Sequence, residues 1–543
     1  MNVALRADRS DMKSLGGIAL GVLRRACGLA AASLLCWAAV GCTPGPRLLM
    51  PDEQRVIGRE LVEYPAGYEL RRYATGFMAP SAIAFDADGY LYVAEGERGE
   101  EPRIWRIPPN GGRPSIFYPQ DQRVIPLRSS WQMYGPIGGM VCVNGNVIVT
   151  HRDENDLGVV TALDKKGGHK TLCAGFPTQG DYGLTDIAYE PRTGKLWFGC
   201  GTVTNSGVVG LDNLQIGWVR KHPEVHDQPF HDVELLGYKF QTSNPMAGLF
   251  GPADIAVTAA FQAFGQSFSI RVKGSPDGKP SGAIYSVALN GGFASVEAYG
   301  VHNPRGIAFN EFGSPYTTND GMEMRIGCTR PIKNDPDSLV RLPPGQPWLG
   351  WPDYSTDFKS ISDAMFQPPE YLISKYGYPQ VRPLIDLHNS NLTPPDRDTM
   401  LEAALPSLSG AAKIAFVPGT GPFSKDFSDS VIIALSGDRA PYASGGIPLP
   451  RPVGRKVVRV DLDRHITRDF VRNVGDLPGS KIDSHNRSLI ERPVDVKFGP
   501  DGSMYILDEG QMEVRNGVER FEKNTGQIFR LVPVRKPTTL PSK

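Results

Sequence analysis

Two short runs of alternating residues flank an Asp-Gly turn near residue 86. Ile83 and Phe85 alternate with Ala84, Leu91 and Val93 alternate with Tyr90 and Tyr92, and Asp86 to Gly89 lies between them. A period of two puts successive side chains on opposite faces of a strand. Gly accepts the positive φ of a tight turn, and Asp bonds nearby backbone. The pattern predicts a β-hairpin. It returns near the C-terminus, where Val494, Val496 and Phe498 precede Asp501-Gly502, and Met504, Ile506 and Leu507 follow.

Weaker copies lie between these two. They begin at Ile137 (IGGMVCVNGNVIVTHRD), Leu184 (LTDIAYEPRTGKLWFGCG), Asn303 (NPRGIAFNEFGSPYTTNDG) and Lys413 (KIAFVPGTGPFSKDFSDSVIIALSGD), which brings the count to six. Further short apolar strands follow at 103–107, 158–162, 281–286, 456–460 and 527–531. Units of three or four antiparallel strands cannot bury both faces alone, and closing them radially does so. The predicted fold is all-β, a six-bladed β-propeller over residues 67–535. A plain sandwich of unrelated hairpins would not repeat one phrase.

The first 42 residues read differently. Arg24-Arg25 precedes 16 uncharged residues, Ala26 to Gly41. That is short for a membrane span and suits the apolar core of a secretory signal. Ala39-Val40-Gly41-Cys42 resembles a bacterial lipobox, with Ala39 where Leu is usual, so Cys42 is the expected lipidation site. A conventional signal peptide is the alternative, and the residues after the twin Arg match a folded-export signal poorly. Either way the chain is expected to be exported, to the periplasm or cell envelope, with a membrane contact through the lipid if Cys42 carries one. Residues 43–66, with four prolines, read as a tether, and 536–543 as a tail.

Lys+Arg and Asp+Glu number 58 each, which leaves no net charge for nucleic acid. Cys142, Cys173, Cys200 and Cys328 follow residue 42 without CxxC spacing. Two disulfides and buried free thiols are both open readings.

About seventy residues, 211–280, exceed a simple blade connection and read as an insert covering one face. Within it His222, His226, His231, Glu224, Asp227 and Asp232 lie inside eleven residues and offer donors for a divalent metal, against the reading of a solvated loop. Residues 253–264 read as a short helix.

Gly300-Val-His-Asn-Pro-Arg-Gly-Ile-Ala-Phe309, Asn319-Asp320-Gly321, residues 334–342, Gly350-Trp-Pro-Asp-Tyr354 and Arg492-Pro-Val-Asp-Val-Lys-Phe-Gly-Pro-Asp-Gly502 are together similar to the glucose/sorbosone dehydrogenase family, over about residues 70 to 533. The resemblance implies a quinoprotein that oxidises a sugar, alcohol or aldehyde with pyrroloquinoline quinone (PQQ) and calcium, with an electron-acceptor protein as partner. Such chemistry needs a polarised quinone oxygen, a base for the hydroxyl proton, and cations for the cofactor's carboxylates. Carried over by position, the family's catalytic His falls on Tyr182, which serves as a base only if its pKa is lowered. His302 stands where the family has Arg, keeping a cation without the fixed fork. Asn303 and Arg492 match cofactor-binding positions, Arg439 substitutes for a cofactor Lys, and Val494 stands where a second Arg is usual. No metal ligands are assigned.

Two other functions compete. One is a non-catalytic, envelope-anchored propeller binding a glycan or protein. The other is a lactonase-like, metal-dependent hydrolase using Glu95, Asn319, Asp320, Asp508 and Glu509.

Overall fold

The computed structural model describes residues 45–109, 111–119, 131–247, 254–376, 380–482 and 489–534. The expected signal, Cys42 and the expected tail at 536–543 lie outside these residues. Each predicted hairpin opens one sheet, and the sheets are the six blades of a propeller. Blade I is Pro80–Phe85, Leu91–Glu95, Arg103–Ile107 and Ser115–Tyr118; blade II is Met140–Val143, Asn146–Arg152, Gly158–Leu163 and His169–Phe176. Blade III joins Leu184–Glu190 and Lys195–Cys200 to Ala283–Ala288 and Ser295–Tyr299 across the insert; blade IV is Gly306–Phe309, Pro315–Asn319, Asp337–Arg341 and Leu401–Leu405. Blade V is Ala411–Phe416, Ser430–Leu435, Lys456–Asp461 and Ile466–Asn473. First strands of consecutive blades neighbour one another, and those of blades VI and I meet.

Blade VI mixes the two chain ends. Pro493–Phe498, Met504–Asp508 and Gly526–Pro533 are completed by the N-terminal strand Tyr68–Phe77, which pairs antiparallel with Gly526–Pro533. This strand closes the ring by main-chain hydrogen bonds. The expected tether is corrected here: from Pro46 the chain lies on the propeller. Arg47–Leu48 extends blade VI, Val62–Glu63 extends blade V, and Leu49 and Val62 are buried. Apolar burial at about 1.5–3 kcal/mol per large side chain outweighs the freedom of a linker.

The apolar faces of the hairpins make the blade interfaces. Ala82 and Tyr92 of blade I pack with Met140 and Val149 of blade II, and Tyr316 and Leu339 of blade IV pack with Ile414 and Ile433 of blade V. Buried carboxylates stitch blades together. Asp186 accepts from Ile307 N (3.1 Å), Asp337 from Ala411 N (2.9 Å) and Asp495 from Ile83 N (2.9 Å). A bulge recurs at the start of the first strand pair in blades I, III, V and VI, and in blades III and VI it lies beside Asp186 and Asp495.

The insert holds helices Leu211–Ile216 and Trp218–Lys221 and two small sheets. The expected helix at 253–264 is instead the strand Ile255–Ala259, paired with Lys239–Ser243. Ile255, Val257 and Thr258 are β-branched, and the pairing decides against the helical preference of the nearby alanines. All four described cysteines are free.

Candidate active site

A residue just before a blade's first strand and one just after its second strand end on the same side, because the two strands are antiparallel. Six such loops ring one mouth of the propeller. They line a cavity of about 590 Å³ with Arg98, Arg152, Asp181, Tyr182, Asn303, Arg305, Asp320, Glu323, Arg325, Arg439, Arg492 and Glu509; Trp218 and Lys221 of the insert complete one side.

Deep in its wall sits Arg325, with a side chain 2% exposed. Nη1 pairs with Asp181, Nε with Glu323 (2.8 Å), and Nη2 donates to Tyr182 Oη (2.6 Å). Asp181 also accepts from Trp218 Nε1 at 2.7 Å. Glu323 accepts a second guanidinium, Arg439 Nη2, at 2.6 Å, and Arg439 Nη1 reaches Glu519 at 3.3 Å. Burial by itself would raise the Glu323 carboxyl, but Arg439 and then Arg325 outweigh it and hold it down at about 2. The cluster is an internally neutralised network that ties blades III, IV and V.

Tyr182, Asn303, Arg439 and Arg492 line this cavity, and His302 does not. The chemistry assigned to two of them changes. Burial pushes the Tyr182 phenol well above its ordinary range, and Arg325 offsets only part of this. Its oxygen accepts a proton donor already, so it does not meet the condition for a base. His302 is 1% exposed, donates from Nδ1 to Asp320 O (2.6 Å), and meets the Tyr182 ring edge-on. Burial drops it to about 4, so it is neutral and supplies no cation at pH 7. Its Nε2 has no hydrogen-bond partner among the described residues.

Blade VI supplies a better acid–base group. Glu509 lines the cavity, and burial pushes its carboxyl up to about 7 against the opposing pull of Arg492. Arg492 Nε stands 3.6 Å from Glu509 Oε2, beyond a hydrogen bond, and is buried without an acceptor. Arg492 Nη1 makes a long contact with Asp438 O, at 3.4 Å. Asn303 Nδ2 donates to Asp320 (3.2 Å), while Arg305 donates to Ser436 Oγ (3.1 Å) and stands 3.9 Å from Asp320. For a planar polyanion such as the implied quinone, Asn303, Arg305 and Arg492 have donor capacity to spare, and Arg439 is spent on carboxylates. The donor set of blades IV to VI fits such a group.

The histidine cluster of the insert does not converge. His222 Nε2 contacts Asp156 (3.0 Å), His226 Nδ1 donates to Asp227 O (2.8 Å), and His231 packs on Phe230 and Tyr299. Of the acids of the hydrolase reading, Asp320 and Glu509 line the cavity and Glu95 and Asp508 do not. Glu95 accepts from Met78 N, and Asp508 accepts from Glu491 N and Arg492 N. No group of three metal-ligating side chains occurs among the described residues. Arg98, Arg152, Asp181, Glu323 and Arg325 were not picked out as site residues from sequence. Asp181 lies beside Tyr182, and Glu323 and Arg325 lie just past Asn319-Asp320-Gly321, so position after a strand end was the signal available.

Fold and mouth together define a six-bladed propeller with a charged cavity of small-molecule size. No family model matches the chain, and no curated protein matches it. Among solved structures it is similar to the PQQ domain of a pyranose dehydrogenase from Coprinopsis cinerea, in its holo form. The identity is 15%, covering 88% of this chain and 98% of that one, with a TM-score of 0.49. A Trichoderma reesei calcium structure from carbohydrate-active enzyme family AA12 gives 14% identity, 87% and 97% coverage and a TM-score of 0.48. A PQQ-bound aldose sugar dehydrogenase from Streptomyces coelicolor gives 14%, 87% and 99%, and 0.43.

Proposed function

We propose that this chain is an exported, PQQ-dependent oxidoreductase acting on a sugar or a related alcohol or aldehyde at the propeller mouth. The observation that carries the reading is the Glu509–Arg492 pair: a carboxyl poised near 7 beside a buried guanidinium with an unspent donor, in a cavity that also presents Asn303. A base works best when its pKa lies near the working pH, and Glu509 meets that condition where Tyr182 does not. Glu509 would take the substrate hydroxyl proton. Asn303, Arg305 and Arg492 would hold the cofactor, with calcium as the ion the resemblance implies. When bound, the quinone supplies the two-electron acceptor that no side chain provides. Trp218, Tyr182 and Tyr442 give the cavity aromatic surface beside its charges, a composition suited to a polyhydroxylated ring. Export rests on the apolar run before Cys42, and electrons would pass on to an acceptor protein.

A second reading, a binding propeller without catalysis, is favoured by Arg325 and Arg439, whose charges are committed to carboxylates. Calorimetric titration with PQQ, with and without calcium, separates the two. Micromolar or tighter calcium-dependent binding, followed by dye reduction with a sugar, is the expected result. Absence of binding would sink the oxidoreductase reading and leave the binding propeller.

A further inference from the structure

The cofactor donors occupy blades IV to VI, and the mouth holds two more guanidiniums that have no carboxylate partner among the described residues. Arg152 ends the second strand of blade II and is 5% exposed. Its Nε donates to Thr178 O at 3.1 Å, and its two terminal nitrogens have no hydrogen bond among the described residues while lining the cavity. Arg98, exposed after the second strand of blade I, donates from Nη2 to Gln179 O (3.1 Å) and Gly180 O (2.7 Å). Neither arginine has an ion pair with a carboxylate among the described residues. The carboxylates whose charge reaches them are already engaged: Asp181, which acts most on Arg98, by Arg325 and Trp218, and Asp156, which reaches both, by Lys221 (2.6 Å) and His222 (3.0 Å).

A buried guanidinium without a counter-ion is costly, and a fold keeps one where something else supplies the anion. The local backbone also makes room for it. A Cβ on Gly183 would come within 2.6 Å of Arg152 Nη2, and Gly183 is not in a left-handed conformation that would require glycine for another reason. Trp218 lines the same side of the cavity.

We propose that Arg98 and Arg152 form an anion subsite that grips the carboxylate or phosphate of an acidic sugar, which makes the substrate class a charged carbohydrate. The assignment rests on the carbohydrate reading above. Guanidinium pairs carboxylate and phosphate through parallel N–H donors, so the two chemistries share the site. Arg152 would supply the enclosed contact and Arg98 the contact at the rim.

The test is titration of the protein with galacturonate, glucose 6-phosphate and galactose, at low ionic strength, with and without PQQ, read by tryptophan fluorescence and calorimetry. At least one acidic sugar should bind about tenfold or more tightly than galactose, and which one does so identifies carboxylate or phosphate as the group recognised. Arg98→Ala should weaken that preference without abolishing it, because Arg152 remains, and the melting temperature should hold. Arg152→Lys, which keeps the charge and loses the fork, should reduce the preference in part. Equal binding of all three sugars overturns the subsite and leaves the carbohydrate reading standing; no sugar binding overturns it as well. A fall in PQQ affinity in Arg98→Ala would hand these arginines to the cofactor and likewise overturn it. Failure of PQQ to bind at all, with the acidic preference intact, would remove the oxidoreductase reading alone.

Discussion

Arg325 and Arg152 are both buried arginines on one cavity, and they are treated in opposite ways. Arg325 meets Asp181, Glu323 and Tyr182 within the chain, whereas Arg152 meets one backbone carbonyl. Burial is thus no guide to role by itself. A cation each of whose nitrogens is engaged inside the fold holds blades together, and one whose terminal nitrogens face an open cavity is available to a ligand. Arg492, with Glu509 at 3.6 Å and its Nε unmatched, stands between the two.

The contrast breaks most visibly at Arg325. Arg325→Met leaves buried Asp181 without its counter-ion and Glu323 with one guanidinium in place of two, and should destabilise the protein by about 3–5 kcal/mol in denaturant unfolding, whereas Arg98→Ala should stay within about 0.5 kcal/mol. Comparable losses in the two variants would show that both arginines are structural. Next in size is Glu509→Gln in the PQQ-loaded protein, expected to lower kcat about a hundredfold or more. With wild type the rate should rise with pH through about 7, because Glu509 accepts a proton only when ionised. That limb should vanish in the variant, and its persistence would remove Glu509 as the base.

His302 tests the unmatched buried groups by acid. Its folded value lies near 4, below the ordinary 6.5, so between these values the unfolded chain binds a proton that the folded protein excludes. Its contribution to stability is therefore complete above 6.5 and is lost as pH falls toward 4. The melting temperature of His302→Asn should fall less than that of wild type across this window. Smallest is Tyr182→Phe, which removes one acceptor from Arg325 and should cost about 1 kcal/mol while the pH limb stays where it is. A shifted limb would restore Tyr182 to the acid–base chemistry.

The blades were legible because each hairpin is local: the period of two and the Asp-Gly turn lie within twenty residues of each other. The closing strand was not. Tyr68–Phe77 reads YELRRYATGF, without a clean alternation, and its partner Gly526–Pro533 is more than four hundred residues away. In the insert, the alanines of 253–264 pointed to a helix, and pairing with Lys239–Ser243 overrode them. At the mouth, position in the blade placed Tyr182, Asn303, Arg439 and Arg492 on one cavity, since every blade delivers the same loop to the same end. Their ionisation could not be read this way.

What the chain determined by itself was the repeating unit and the residue types carried to its loops, because strand alternation and turn chemistry act between near neighbours. Only the tertiary structure decided which charge meets which. It matched Arg325 with Asp181, spent Arg439 on Glu323, buried His302 as a neutral ring and left Arg152 open. Desolvation and ion pairing depend on neighbours that the ring brings together from different blades, and no spacing along the chain encodes them.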